Sequence, residues 1–287
     1  MTRLTNSLDT RMKSILITGV STGIGAATAK HFLSLGWRVF GTVRKASDAD
    51  DLVLSGGRLF TPVLLDITDF QAISSACEEV SSCLGDDPLD VICNNAGTSV
   101  PAVTMHQSIH GFQSAVQLNL VAPFAVTRGF YPLLRKPGGR IIFVGSLAGT
   151  DPLPFCAAYS ASKHGIEALS GSLGIELALH GVSSIVVAPG STKTALGDKV
   201  SADTAIDGMA SEFGPALARL ASYMAEQASD AFSPERVALV IESAATSKNP
   251  KSRYIITPGY MSHWLMPRLL GNRWRDRRWV RRLFPLK

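Results

Sequence analysis

The chain has 287 residues, 46% of them apolar and 18% charged, the balance of a folded globular protein rather than a disordered, fibrous or disulfide-stapled one. Its formal charge of +5 is local: residues 264–287 carry eight Lys/Arg and one Asp, leaving 20 basic against 22 acidic residues in the preceding 263, so the basic surface that nucleic-acid binding requires is missing from the body of the chain. The four cysteines, Cys77, Cys83, Cys93 and Cys156, form no CxxC pair and sit beside no histidine cluster, which excludes a disulfide framework and a metal site and fits a reducing cytoplasm.

Residues 1–12 lack a hydrophobic centre and read as a flexible tail rather than a secretory signal, and no apolar run reaches the ~18 residues of a membrane span. From Ser14 onward, short β-rich apolar runs alternate with helical spacing. The first run, "SILIT", leads directly into "TGVSTGIG" and a helix over 24–35. Here Gly19 suits a sharp turn, Gly23 lets backbone N–H groups approach a pyrophosphate, and Gly25 lets the helix sit close to the sheet. The helix N-terminus adds partial positive charge beside Thr18, Ser21, Thr22 and Ile24. A glycine turn with no ligand reads the same way, so the decision passes to residues further along.

The second run, "WRVFGTV", ends in Arg44 and Lys45, where many nicotinamide enzymes carry an acid for the ribose hydroxyls. A guanidinium fork matches phosphate oxygens, so a 2′-phosphate, and hence NADP(H) over NAD(H), is the expected preference; a solvated basic turn is the bland alternative. The third run, "FTPVLLD", closes on Asp66 and Ile67, where an adenine ring can rest, and a helix over 69–83 follows. The fourth, "DVICNNAG", puts Asn94, Asn95, Ala96 and Gly97 at a strand end able to flank a ribose.

A helix over 107–135 carries "LNLVAP" with Asn119, and the fifth run, "GRIIFVGS", ends on Ser146. The Ser146 hydroxyl is placed either to hold a substrate carbonyl oxygen or to cap a turn. In the helix over 158–180, Tyr159 and Lys163 are four residues apart and share a face. The lysine and an oxidised nicotinamide ring are together expected to draw the phenol down from its ordinary value of about 10, which makes Tyr159 a usable acid and base. The last two runs, "SSIVVAPG" and "SRYIITPG", bring the strands to seven, most apolar on both faces as a sheet covered by helices requires. The βαβα rhythm predicts an α/β chain, one Rossmann-type doubly wound domain over 13–260.

Residues 195–235 break the rhythm and read as an insertion over the sheet's C-terminal edge, where such folds bind ligands. Its Met209, Phe213, Leu217, Leu220, Tyr223, Met224 and Phe232 supply either an apolar lid or plain helix packing. The basic, aromatic tail over 261–287, if helical, groups Leu269, Val280, Leu283 and Phe284 against Arg275, Arg278, Arg281 and Arg282, although Arg273 and Arg277 intrude on the apolar face and Pro267 interrupts its start. Peripheral contact with a membrane surface and packing on a subunit or on the lid stand as equal readings of it.

Taken in order, the glycine turn, "NNAG", "LNLVAP", Ser146, "YSASK" and "PGSTKT" resemble the classical short-chain dehydrogenase/reductase superfamily from about residue 13 to 260. The resemblance implies Tyr159 as proton donor or acceptor, Lys163 holding the nicotinamide ribose and tuning Tyr159, Ser146 orienting substrate, and Asn119 placing a proton-relay water. It implies that Pro189, Gly190, Thr192 and Thr194 meet the nicotinamide carboxamide, and that Thr18, Gly19, Ser21, Thr22, Gly23, Ile24, Gly25, Asp66, Ile67 and Asn94 to Gly97 line the cofactor. "GTVRK" is similar to the NADP-preferring type.

More loosely, "RVFGTVRK", the insertion and the chain's final strand region look like the hydroxysteroid and retinol dehydrogenase branch. That implies a bulky apolar alcohol or carbonyl substrate and a homodimer or homotetramer built on the helices carrying Asn119 and Tyr159. A 3-oxoacyl or small-carbonyl reductase is the alternative within the family. A catalytically silent NADP-binding sensor or scaffold is the alternative of another class.

Overall fold

The computed structural model describes residues 11–99, 101–193 and 212–285. Its seven strands are β1 (Ser14–Ile17), β2 (Arg38–Val43), β3 (Phe60–Leu64), β4 (Val91–Asn94), β5 (Arg140–Val144), β6 (Ser183–Pro189) and β7 (Arg253–Ile256). They form one sheet in the order β3-β2-β1-β4-β5-β6-β7, and every pairing is parallel. Strand order reverses between β1 and β4, and in such sheets ligands bind in the crevice beyond the strand ends at that switch point.

Successive side chains on a strand point to opposite faces, so each strand feeds two cores. On one face Ile15, Ile17 and Val39 pack with Phe32 of α1 (Gly23–Ser34) and with Val237 and Ile241 of α8 (Pro234–Thr246). On the other, Leu16, Phe40 and Ile92 pack with Ile73 and Val80 of α3 (Ala72–Leu84), Phe130 of α5 (Ala122–Phe130) and Ile166 of α6 (Ala157–Glu176). Each of these side chains is at most 4% exposed, and burying each one fully stabilises the fold by about 1.5–3 kcal/mol before entropy is counted. The remaining helices are α2 (Asp50–Gly56), α4 (Ile109–Val116), α7 (Gly214–Ser229) and α9 (Met266–Leu283).

Several boundaries differ from the sequence reading for local physical reasons. Arg11, read as part of a loose tail, is held by an ion pair with Asp90, whose carboxylate also accepts the Ser14 amide at 2.9 Å. The helix expected over 107–135 is not continuous: Ser108 caps α4 by accepting from Gly111 at 3.0 Å, and a π turn at Gln117–Val121 separates α4 from α5. The stretch read as the end of the insertion includes the start of α8, where Ser233 accepts from the Arg236 amide and Pro234 fills the first turn, a favoured arrangement for opening a helix. Thr194 and Met209 lie outside the described residues.

Candidate active site

The glycine turn lies where β1 hands the chain to α1. Gly19 and Gly23 hold positive φ, 71° and 59°, a region L side chains avoid. A methyl group on Gly25 would collide with the Gly19 carbonyl oxygen and come within 2.5 Å of Asn95 Nδ2, so only glycine lets α1 start this close to the sheet. Thr22 occupies the N-cap position in extended backbone, yet its side chain makes no capping bond, and no acid sits in the first turn of α1. That leaves N–H groups of the helix start for an anion, the arrangement that suits a pyrophosphate. Ser21 and Thr22 are exposed and Ile24 is half-buried against the core.

Long-range hydrogen bonds set the shape of this turn. The Gly19 amide donates to Thr42 Oγ1 at 3.0 Å. Thr18 Oγ1 accepts from the amides of Asn95 and Ala96 at 2.9 and 3.0 Å, and Asn95 Nδ2 donates back to the carbonyls of Thr18 and Gly19. The first and fourth strand ends are thereby fastened together across the switch point. Asn94 is turned away from the crevice: it is buried, and its Nδ2 donates to Thr127 Oγ1 of α5 at 2.9 Å. Its side chain is structural, and only its main chain borders the ribose position read from the sequence. The Ile67 side chain is buried in the core on the α3 face, which leaves its main chain for the adenine position read from the sequence.

Arg44 and Lys45 are exposed at the end of β2. Asp66 accepts from the amide and the hydroxyl of Thr68, at 2.9 and 2.7 Å, and those bonds, assisted by Arg44, hold its carboxyl below the usual carboxylate range. On the far side, Pro189 closes β6, Gly190 donates to the Ile256 carbonyl at 2.8 Å, and Thr192 donates to the Gly190 carbonyl at 3.2 Å.

The four candidate chemical residues converge beyond β4 and β5. Lys163 is 6% exposed, and its ammonium donates to the Val144 carbonyl at 2.7 Å. Burial pushes its pKa down to about 8, against an opposing pull from Glu167 one turn later. Asn119, in the π turn, is 1% exposed; its Oδ1 accepts from the Thr98 amide and its Nδ2 donates to the Thr98 carbonyl, both at 2.8 Å. A methyl on Gly97 would lie 2.9 Å from Asn119 Oδ1 and 3.9 Å from Lys163 Nζ, so a glycine is required where these two side chains meet. The Ser146 hydroxyl is close enough to the Tyr159 phenol to favour its ionised form, and Ser146 Oγ accepts from the Ala148 amide at 3.1 Å. The serine is both a cap and a partner of the phenol.

Burial raises the Tyr159 phenol above its ordinary value, while the Ser146 hydroxyl opposes the rise and nearby Cys156 adds to it. Lys163 Nζ sits over the Tyr159 ring, 5.7 Å from its centroid.

Residues 13–205 match the family model described as short chain dehydrogenase, two-thirds of the chain and every motif described above up to β6. The chain belongs to the short-chain dehydrogenase family. It is accordingly an NAD(P)-dependent oxidoreductase that interconverts CH–OH and C=O groups. Among its relatives, the NADPH-dependent 3-dehydrocapnine reductase of Ornithobacterium rhinotracheale is 32% identical over 258 residues, 86% of this chain and 89% of that one. Human retinol dehydrogenase 16 is 33% identical over 66% of this chain and 60% of its own length. A solved short-chain dehydrogenase from Streptomyces avermitilis superposes with a TM-score of 0.79 at 26% identity, covering 96% of this chain and 98% of that one.

In this short-chain dehydrogenase the loop between Ser146 and Tyr159 lies against the chain's C-terminal part. Phe155 adopts φ 58°, a strained conformation for an aromatic residue. Its carbonyl accepts from the Ala102 amide at 2.8 Å, and its ring meets Phe213 at 6.1 Å. Leu153 and Phe155 join a small cluster with Ala216, Leu220, Tyr223 and Met224 of α7 and Trp279 and Leu283 of α9. The insertion residues read as lid or packing are thus divided: Leu217 and Leu220 are buried, Phe213 faces Phe155, and Phe232 packs on the core beside β6. Sequence reasoning missed Thr42, Thr98, Thr127 and Glu167, whose contacts join segments far apart in the chain, or, for Glu167, become meaningful only once Lys163 is buried.

Proposed function

We propose that this enzyme is an NADP(H)-dependent carbonyl/alcohol oxidoreductase acting on a bulky apolar substrate, with Ser146, Tyr159, Lys163 and Asn119 as its chemical residues. The observation that carries the reading is the Ser146–Tyr159 hydroxyl pair one helical turn from a buried lysine that spends one N–H on the Val144 carbonyl. When bound, the dinucleotide supplies or accepts a hydride at the substrate carbon. Ser146 Oγ accepts the Ala148 N–H and lies beside the phenol, where its hydroxyl can turn to donate to a substrate oxygen. Tyr159 gives its proton to that oxygen as charge develops there. Lys163 has further N–H donors to offer ribose hydroxyls, and its charge supports the phenolate left after transfer. Asn119, locked to Thr98, holds the π turn beside the lysine, where a relay water replaces the proton.

The NADP(H) preference is supported by exposed Arg44 and Lys45 at the end of β2, by the Arg44 contribution at Asp66 and by the NADPH dependence named for the Ornithobacterium relative. Leu153, Phe155 and Phe213 support an apolar substrate, as does the retinol-converting relative. Four free cysteines support a reducing compartment, with the cytoplasm as our assignment. Exposed Ile109, Phe112 and Phe124 on α4 and α5, with Ile175 on α6, support a homodimer or homotetramer formed on those helices.

Tyr159→Phe tests the mechanism. Reduction of bulky ketones by NADPH is expected to fall by on the order of 10²–10⁴ while the NADPH dissociation constant, read by fluorescence titration, stays the same; turnover unaffected by the substitution would overturn it. In the same assay Arg44→Gln with Lys45→Gln should raise the KM for NADPH about 10- to 100-fold, the loss of charge-assisted bonds, and leave that for NADH unaltered.

A further inference from the structure

We propose that the outer face of α9 docks this protein on an anionic lipid bilayer. The helix is bent at Gly271, where φ is 77°, and beyond the bend its two faces are chemically unlike. The inner face is satisfied by the protein. Leu283 is 1% exposed, Trp279 meets the Tyr223 ring edge-on at 5.3 Å, and the Arg282 guanidinium lies 4.2 Å over that same ring. Arg219 donates to the Leu283 carbonyl at 2.7 Å, and Arg275 faces Asp151 at 3.6 Å. This splits the apolar set read from the sequence, with Leu283 turned inward and the other members turned out.

The outer face carries Arg273, Arg277 and Arg281, spaced four residues apart in one exposed stripe. Among the described residues, none of the three has a carboxylate within ion-pair distance. Like charges at that spacing destabilise a helix, and Asp276 is the single carboxylate on this helix to oppose them, so negative charge from outside is favoured on this face. Between and beside these arginines stand Val280, 52% exposed, Phe284, 43%, and Trp274, with Leu269, 69% exposed, before the bend. A hollow of about 620 Å³ on this face is lined by Leu270, Trp274, Arg277 and Arg281 among others.

A soluble polyanion would neutralise the arginines and leave the aliphatic and aromatic groups in water. An anionic bilayer takes both: the apolar groups enter the headgroup and acyl boundary, and the long arginine side chains reach back to phosphate. Among the described residues no helix is long and apolar enough to cross a membrane, so the contact is peripheral. Because α9 also packs beside Leu153 and Phe155, docking sets the substrate mouth at the lipid surface; that consequence, unlike the docking, rests on the apolar substrate proposed above.

The full chain should co-sediment with phosphatidylcholine vesicles containing phosphatidylglycerol and remain in the supernatant with phosphatidylcholine alone. Arg273→Gln, Arg277→Gln and Arg281→Gln together should lower its partition coefficient on the order of 100-fold, given about tenfold or less per arginine at an anionic surface. Val280→Ser with Phe284→Ser should also weaken binding. Both variants leave the inner face intact, and unchanged helical circular dichroism and unfolding midpoint establish that they fold, with no reference to activity. Equal recovery on the two vesicle types, wild-type recovery of the arginine variant, or binding to duplex DNA as tight as to vesicles and untouched by the Val280/Phe284 change would overturn the proposal.

Discussion

Lys163 is an ammonium almost wholly removed from water, with a backbone carbonyl as its hydrogen-bond partner and Glu167 as its nearest counter-charge. Burial depresses its pKa from the ordinary 10.5 to about 8. Between those two values the unfolded chain holds a proton that the folded chain has released, so raising the pH through this window favours folding. Lys163→Met removes that dependence. In denaturant titrations the stability of wild type relative to Lys163→Met is therefore expected to rise between pH 8 and 10.5, by up to about 3 kcal/mol for a shift of this size. A difference independent of pH would mean that the lysine is not charged and buried as described. Residue identity was legible here because Tyr159 and Lys163 lie on one helix, four apart. The burial of Lys163 was not, because it depends on what surrounds the side chain once α6 is packed.

At the scale of elements, local pattern carried far. All seven strands fall within the apolar runs quoted from the sequence, since alternation and β-rich composition are properties of short windows. The π turn was invisible to periodicity: Asn119 within it exchanges two hydrogen bonds with the main chain of Thr98, 21 residues earlier, a contact no local window contains. The helix–helix contact of α7 with α9 was equally hidden. Trp279 packs on Tyr223 there, and the same cluster reaches Leu153 and Phe155 in the loop between Ser146 and Tyr159. Trp279→Ala is expected to cost about 1–3 kcal/mol of stability through the space it leaves. It should also raise the KM for the carbonyl substrate several-fold with NADPH affinity preserved, because α1 and its glycine turn are remote from this cluster. A loss of NADPH binding of equal size would instead mean general unfolding.

For the molecule as a whole, the outward apolar groups of α4, α5 and α6 decide the assembly we expect. Ile109 is 75% exposed and Ile175 80%, on elements that carry or adjoin Asn119 and Tyr159. Sedimentation velocity should give a dimer or tetramer, and Phe112→Glu with Phe124→Glu should shift it to monomer; a monomeric wild type at micromolar concentration would contradict this. The amino-acid sequence by itself determined the α/β class, the seven strands, the glycines of the first turn and the place of each chemical residue along the chain. Those rest on near-neighbour sterics and on hydrophobic period, which need no partner from elsewhere. Tertiary structure alone decided that Asn94 and Ile67 turn inward, that Thr42 holds Gly19, that Lys163 is buried, and which face of α9 meets solvent. Each of these depends on burial or on a hydrogen bond between segments that only folding brings into contact.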